Sequence, residues 1–135
     1  LNVIFESPAF AGDSISVQDS RGLAQEGWHI PSDAEWSKLT NNLGGKETAG
    51  KNMKSTSGWN TGANGTNSSG FTGLPCGCRN FYGNYFTFYK YGNFWTASVL
   101  NSSKAWSRNL SYDYSDVNRY YDYKEDGYSV RCVRD

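Results

Sequence analysis

The chain has 135 residues, 13 basic and 13 acidic side chains, no net charge and an aromatic share of 16%. That length suits one domain with a real core. Balanced charge speaks against a nucleic-acid partner, which needs an uncompensated basic patch, and apolar runs of only a few residues speak against direct membrane insertion.

The N terminus opens with Val3-Ile4-Phe5, followed by a polar loop through Asp13, Ser14, Ser16, Asp19 and Ser20. It starts at Leu1 without a basic-then-apolar leader, as expected of a mature or excised domain. The clearest local signal is Gly27-Trp28-His29-Ile30-Pro31-Ser32-Asp33-Ala34-Glu35-Trp36. Ser32 with Glu35 three residues on is a capping box, and Pro31 keeps the chain extended before it. Trp36, Leu39 and Leu43 repeat at helical spacing until Gly44-Gly45, which predicts a helix over 33–43. A second, shorter helix is expected over 48–54. Residues 55–74, rich in Gly, Asn, Ser and Thr, read as a long ordered loop anchored by Trp59 and Phe71.

Beyond Pro75 the pattern changes to short strands. The candidates are 94–98, 105–112 and a closing strand over 128–133. In the second, Trp106, Arg108, Leu110 and Tyr112 share one face, while Ala105, Ser107, Asn109 and Ser111 share a small, mostly polar one. Alternation assigns Trp95, Trp106, Leu110, Tyr112 and Val130 to the core, with Tyr128 beside them. The stretches 80–91, 99–104 and 113–126 read as connections. The expected architecture is a single α+β domain over 1–135, with early helices, late antiparallel strands and long loops.

Catalysis finds little support. His29, the only histidine, sits beside Trp28 and Ile30 and reads as a satisfied, partly buried residue. Glu35 is occupied as a cap, and no nucleophile elbow, phosphate loop or dinucleotide fingerprint occurs. Asp113, Asp116, Asp122, Glu125 and Asp126 lack a calcium-loop ladder and read as solvated carboxylates. Cys76, Cys78 and Cys132 lack zinc spacing; Cys132 has Cys76 or Cys78 as an available disulfide partner. The expectation is no enzyme, no metal and no cofactor.

Binding fits the composition better. All ten tyrosines lie between Tyr82 and Tyr128, although charge is spread almost evenly along the chain. Tyr supplies large contact area with a hydrogen-bonding tip at little rotamer cost, and Ser and Asn adapt around it. Phe81, Tyr82, Tyr85, Phe88, Tyr89 and Tyr91 are too dense to be buried together, as are Tyr114, Tyr120, Tyr121 and Tyr123, and exposed rings at that density mark an interaction surface.

The block from Gly27 to Trp36, with Thr66-Asn67-Ser68-Ser69-Gly70-Phe71, Leu74-Pro75, Phe94-Trp95 and Gly127-Tyr128-Ser129-Val130-Arg131-Cys132-Val133, resembles the Fibrobacter succinogenes major paralogous domain. That resemblance implies a C-type lectin-like fold allied to the formylglycine-generating enzymes. The frame Ala105-Trp106-x-Arg108-x-Leu110-x-Tyr112-x-x-Ser115-x-Val117-x-Arg119 further resembles variable proteins of diversity-generating retroelements. In such proteins Asn codons are altered at their adenines, which reaches Tyr, Asp, Ser, Phe, Val and Leu but not Lys, Glu, Gln, Met or Trp.

This resemblance implies a diversified region over 76–128. Its ligand-binding positions would be Phe81, Tyr82, Tyr85, Phe88, Tyr89, Tyr91, Val99, Leu100, Ser107, Asn109, Ser111, Asp113, Tyr114, Asp116, Asn118, Tyr120, Tyr121, Asp122 and Tyr123. The implied partner is a protein or glycan on a cell surface, and the implied setting is extracellular, on a cell or a phage virion. Leu23-Ala24-Gln25-Glu26 stands where the family often carries a cysteine, which implies that Cys132 lacks its usual partner. The sugar-binding motifs of calcium-dependent lectins and the copper-binding cysteine pair of the oxidases are missing. These two functions stand as the alternatives to a display role.

Overall fold

The computed structural model describes residues 23–135, so the expectations for Val3-Ile4-Phe5 and the Asp13 to Ser20 loop lie outside the described residues. The described part has an α+β arrangement with its helices first. Strand β1 (Trp28–His29) leads into α1 (Asp33–Asn42) and α2 (Lys46–Met53). The strands β2 (Cys78–Arg79), β3 (Tyr85–Phe86), β4 (Tyr91–Val99), β5 (Lys104–Ser111), β6 (Val117–Tyr123) and β7 (Val133–Arg134) follow.

Helix α1 begins where the capping box places it. The Glu35 amide donates to Ser32 Oγ at 3.2 Å, and the Ser32 amide donates to Glu35 Oε2 at 2.8 Å. These bonds satisfy amides that a helix start otherwise leaves unpaired. Helix α2 starts two residues before the expected 48–54 and has glycine in its middle for a steric reason. A Cβ on Gly50 would lie 2.3 Å from the Asp116 carbonyl oxygen, so only glycine lets α2 approach the chain entering β6.

Strands β4, β5 and β6 form an antiparallel sheet in that order. Its register sets Phe94 opposite Arg108 and Arg108 opposite Arg119. One sheet face therefore carries Phe94, Trp106, Arg108, Leu110, Val117, Arg119, Tyr121 and Tyr123; the other carries Trp95, Ser107, Asn109, Asn118, Tyr120 and Asp122. The first face meets the helices. Trp36, Phe71 and Phe94 pack there as a ring triad with centroids 5.3–5.8 Å apart. Ala49, Met53, Trp59, Ala63, Leu110 and Val117 complete the buried core. The 55–74 loop is anchored as expected: Trp59 and Phe71 are buried, and Trp59 Nε1 bonds to Ser55 Oγ and the Gly73 carbonyl.

Several expectations are corrected. Residues 117–123, read as part of a connection, form β6; pairing with β5 makes a strand from a polar sequence whose only aliphatic residue is Val117. The closing strand over 128–133 is reduced to a bridge between Ser129 and Phe94, followed by β7 against β1. In β4, Phe94 rather than Trp95 faces the core; Trp95 is half-buried, stacked on the half-buried Tyr128 at 4.5 Å. Trp106, Tyr112 and Val130 are also only half-buried. The three cysteines are free, with Cys76 exposed and Cys132 buried.

The first residue of α1 touches all three strands of this sheet. The Asp33 amide donates to Ser98 Oγ from β4 at 2.9 Å. Its carboxylate takes the Arg108 guanidinium from β5 at 2.5 Å and that of Arg119 from β6 at 2.9 Å. Arg108 is 3% exposed and also donates to the Asp33 carbonyl and Ser37 Oγ. Burial pushes the Asp33 carboxyl up, but the Arg119 and Arg108 hydrogen bonds outweigh it and hold it below its usual range. Removing one partner of such a pair strands the other charge. Asp33→Ala is expected to lower unfolding free energy by about 3 kcal/mol in urea titration; a loss under about 1 kcal/mol would place this contact among ordinary surface pairs.

Candidate functional site

The expected binding residues divide into three groups by exposure. Phe81, Tyr82, Tyr85, Phe88, Tyr89, Val99, Leu100, Asp113, Tyr114, Tyr120, Tyr121 and Tyr123 are exposed. Tyr91, Asp116, Asn118 and Asp122 are half-buried. Ser107, Asn109 and Ser111 are buried, contrary to the outward face expected for them. The segments around β2–β3 and 127–129 lie against that face, and internal partners use its polar groups. Ser107 Oγ donates to Asp122 at 2.7 Å, Asn109 Nδ2 donates to Asn93 Oδ1 at 2.8 Å, and Ser111 Oγ bonds to Asp113.

The exposed rings sit on a braced support. Strands β2 and β3 form a hairpin whose turn is closed by the Asn80 amide donating to the Asn84 carbonyl and the Asn84 amide donating to Asn80 Oδ1. At its tip Phe81 and Tyr82 are 53% and 75% exposed, with ring centroids 3.9 Å apart. Paired backbone bonds between Arg79 and Gly127, and the Phe81 amide on Asp126 Oδ1, fasten the hairpin to the body. Burial raises the Asp126 carboxyl above its usual value; the Phe81 amide opposes this, and Asp122 and Glu125 add to it.

Past the hairpin, Thr87 and Tyr89 take left-handed φ angles of 63° and 65°. A β-branched residue rarely adopts that conformation, and each such residue costs roughly 1–3 kcal/mol unless its surroundings hold it. Here they do. The Tyr89 amide donates to the Pro75 carbonyl at 3.0 Å, the Asn60 amide donates to the Tyr89 carbonyl at 2.9 Å, and the Lys90 amide donates to the Thr87 carbonyl at 3.1 Å. Gly77, at φ 68°, lies so close to the Phe86 carbonyl that a Cβ would sit 2.3 Å from it. The result is a fixed turn that presents Phe88 and Tyr89 outward, Phe88 lying near-parallel to Tyr85 with centroids 6.4 Å apart.

The structure gathers some of these residues and separates others. Phe81 meets Tyr123 edge-on at 6.5 Å, joining the hairpin tip to the end of β6. Tyr121 packs edge-on against Trp106 at 5.6 Å, and Lys104 Nζ lies over the Tyr121 and Tyr123 rings at 5.2 and 4.6 Å. Val99 ends β4 opposite Ala105, and Leu100 follows it in the neighbouring turn to β5. Asp113, Tyr114 and Asp116 lie past the opposite end of β5 and β6. Lys54, only 4% exposed, holds that end by donating to the Ser111 and Tyr114 carbonyls at 2.9 and 3.0 Å. Burial lowers the Lys54 ammonium, partly offset by Asp113. Phe86, 43% exposed in the same hairpin, was absent from the expected set, although the same aromatic density pointed to it.

Chemistry beyond binding has little material. Burial pushes the Tyr128 phenol well above its usual range, and Asp122 adds to the shift. Burial also raises the Cys78 and Cys132 thiols, away from the reactive thiolate form. Among the described residues no group of three or more His, Cys, Asp or Glu side chains is placed to hold a metal ion, and no helix is long and apolar enough to cross a membrane.

His29 joins the chain ends of the described domain. Its Nδ1 lies 2.6 Å from Asp135 Oδ1 and its Nε2 lies 2.9 Å from Glu35 Oε1. The Asp135 bond, then the Glu35 bond, raises the imidazole above its ordinary value of 6.5 despite desolvation. A raised histidine gives its full stabilisation below 6.5 and loses it as pH climbs through the folded value. Thermal melts should therefore show wild type exceeding His29→Gln most below pH 6.5, with the gap closing in mildly alkaline buffer. A gap that widens with pH would contradict the assigned contacts.

A family model described as the Fibrobacter succinogenes major domain matches residues 14–134. No curated protein and no solved structure matches the chain.

Proposed function

The chain belongs to the Fibrobacter succinogenes major domain family, and from that premise we propose that it is a non-enzymatic display module with a C-type lectin-like scaffold. Its exposed residues between Phe81 and Tyr123 are diversified by a retroelement, and it serves as a phage receptor-binding or bacterial surface adhesion module. The ligand is a protein or glycan on a cell surface.

The observation that carries this reading is the run of large exposed side chains from Phe81 to Tyr123, including Tyr82, Tyr85, Tyr89 and Tyr114 at 61–75% exposure. Exposure of so many large apolar side chains supports a binding surface. Strain at Thr87 and Tyr89 supports it further, because a turn fixed in advance loses little entropy when a partner docks. Aromatic anchors would supply affinity, while exposed polar residues such as Asp113 would set specificity. The vocabulary of these exposed positions fits adenine-directed change of Asn codons: Tyr82, Tyr89, Asp113, Tyr114, Tyr120, Tyr121 and Tyr123 all fall within it.

Replacing Phe88, Tyr89, Tyr114 and Tyr121 together by Ala should abolish binding to a partner selected from cell-surface protein and glycan arrays. Each substitution should cost less than about 0.5 kcal/mol of stability, against roughly 3–5 kcal/mol for Phe71→Ala in the core. A large loss of stability in the fourfold variant would mean that the rings hold the fold and would remove the basis of the proposal. Sequencing beside the gene should find a reverse transcriptase and a near-copy of the gene's 3′ end differing only at adenines.

A further inference from the structure

The two edges of the main sheet are treated differently. On the outer edge of β4, the Trp95 amide donates to the Ser129 carbonyl and the Ser129 amide donates to the Asn93 carbonyl. The Ala97 amide donates to the Pro31 carbonyl, and the Gly77 amide donates to the Tyr91 carbonyl. Odd-numbered residues of β4 thus bond outward, so its even-numbered residues bond to Arg108 and Leu110 of β5. Alternation then directs Ala105, Ser107 and Asn109 toward their partners Asp122, Tyr120 and Asn118 in β6. What remains on the outer edge of β6 is the amide and carbonyl groups of Val117, Arg119 and Tyr121 and the amide of Tyr123. Among the described residues no backbone bond fills them, and the Tyr123 carbonyl takes only the local turn bond from Asp126. An edge of this length left open by the described residues is a template for another strand.

We infer that this edge is filled by a second copy of the chain, β6 pairing antiparallel with β6 across a two-fold axis at Tyr120. Only registers that match like-numbered parity keep the helix-side face continuous across the junction. A pairing centred on Arg119 sets two guanidinium groups opposite each other, which is destabilising. One centred on Tyr121 leaves Val117 and Asn118 beyond the end of the partner strand. Centring on Tyr120 uses the whole of β6. Arg119 then faces the Tyr121 ring of the second copy, a contact of the kind it already makes with Trp106 at 3.4 Å. Asn118 faces the Asp122 carboxylate, whose acceptor capacity exceeds the bonds it makes within the chain. In this register, Arg119 and Tyr121 exchange backbone bonds, and Tyr120 meets its own mate as a non-hydrogen-bonded pair. Main-chain bonds join the two strands, the side chains at 118, 119, 121 and 122 select the register, and the pairing sets two copies of the exposed hairpin in one assembly. The inference does not depend on what the hairpin binds.

Sedimentation equilibrium over a rising concentration series is expected to show a reversible dimer. Tyr121→Pro removes an outward amide while sparing every bond to β5, so it should leave a folded monomer that no longer associates. In a Cys76→Ser, Cys78→Ser background, Tyr120→Cys should form an intermolecular disulfide under mild oxidation, because directly opposed residues of a non-hydrogen-bonded pair lie within bridging range; Tyr121→Cys should not. A chain that stays monomeric at the highest concentration overturns the inference. So does a dimer that cross-links through Tyr121→Cys instead, or one that persists in a folded Tyr121→Pro variant. Ligand binding by a strictly monomeric chain would sink the dimer and leave the display role standing.

Discussion

One carboxylate fixes how the helices meet the sheet. Arg108 projects into an interior that would reject an unpaired guanidinium at a cost of several kcal/mol, so β5 is held where its charge meets Asp33. Asp33 in turn is placed by the Ser32 cap, one residue before it in the chain. Arg119 brings β6 to the same carboxylate, and Ser98 brings β4 to its amide. A slip of one residue in β5 would carry Arg108 to the opposite face and break the arrangement. The Gly27 to Trp36 block and the strands carrying Arg108 and Arg119 therefore meet in space at a single carboxylate.

That junction divides the strands into two kinds of position. Phe94, Arg108, Leu110 and Val117 are committed to the interior, while Tyr120, Tyr121 and Tyr123 on β6 remain exposed. The hairpin and the Thr87–Tyr89 turn continue the exposed surface, braced by backbone bonds to Pro75, Asn60 and Gly127. Most bonds that shape this surface are made by the main chain, with Asn80 Oδ1 and Asp126 Oδ1 accepting the Asn84 and Phe81 amides beside them. Stored strain is tolerable because backbone bonds hold Tyr89 through both its amide and its carbonyl and hold Thr87 through its carbonyl.

The sequence revealed those elements whose signals are local. Helix α1 was readable because cap, periodicity and glycine stop all fall within a few residues. The β5 strand was readable because alternation survives in it. Strand β6 was hidden, since Asn118-Arg119-Tyr120-Tyr121-Asp122-Tyr123 has no apolar alternation and becomes a strand only through its partner. The burial of Ser107, Asn109 and Ser111 was hidden for a related reason. Small polar residues look like a solvent face until the 76–91 and 127–129 segments cover them, and their hydrogen bonds go to Asp122, Asn93 and Asp113. Lys54 gave no hint that it would be buried, because the carbonyls it serves, at Ser111 and Tyr114, lie more than fifty positions along the chain. The exposed rings were the most readable feature of the site, because so many aromatics in one short stretch exceed what a core of this size can hold.

The central claim is that a rigid frame and a replaceable surface are interleaved in the same strands. Saturation substitution across residues 23–135, read out as resistance of each folded variant to proteolysis, tests it position by position. Broad tolerance is expected at Tyr82, Tyr89, Tyr114, Tyr120, Tyr121 and Tyr123, and sharp intolerance at Asp33, Trp36, Phe71, Phe94, Arg108 and Leu110. Intolerance at the exposed tyrosines equal to that at Phe71 would contradict it.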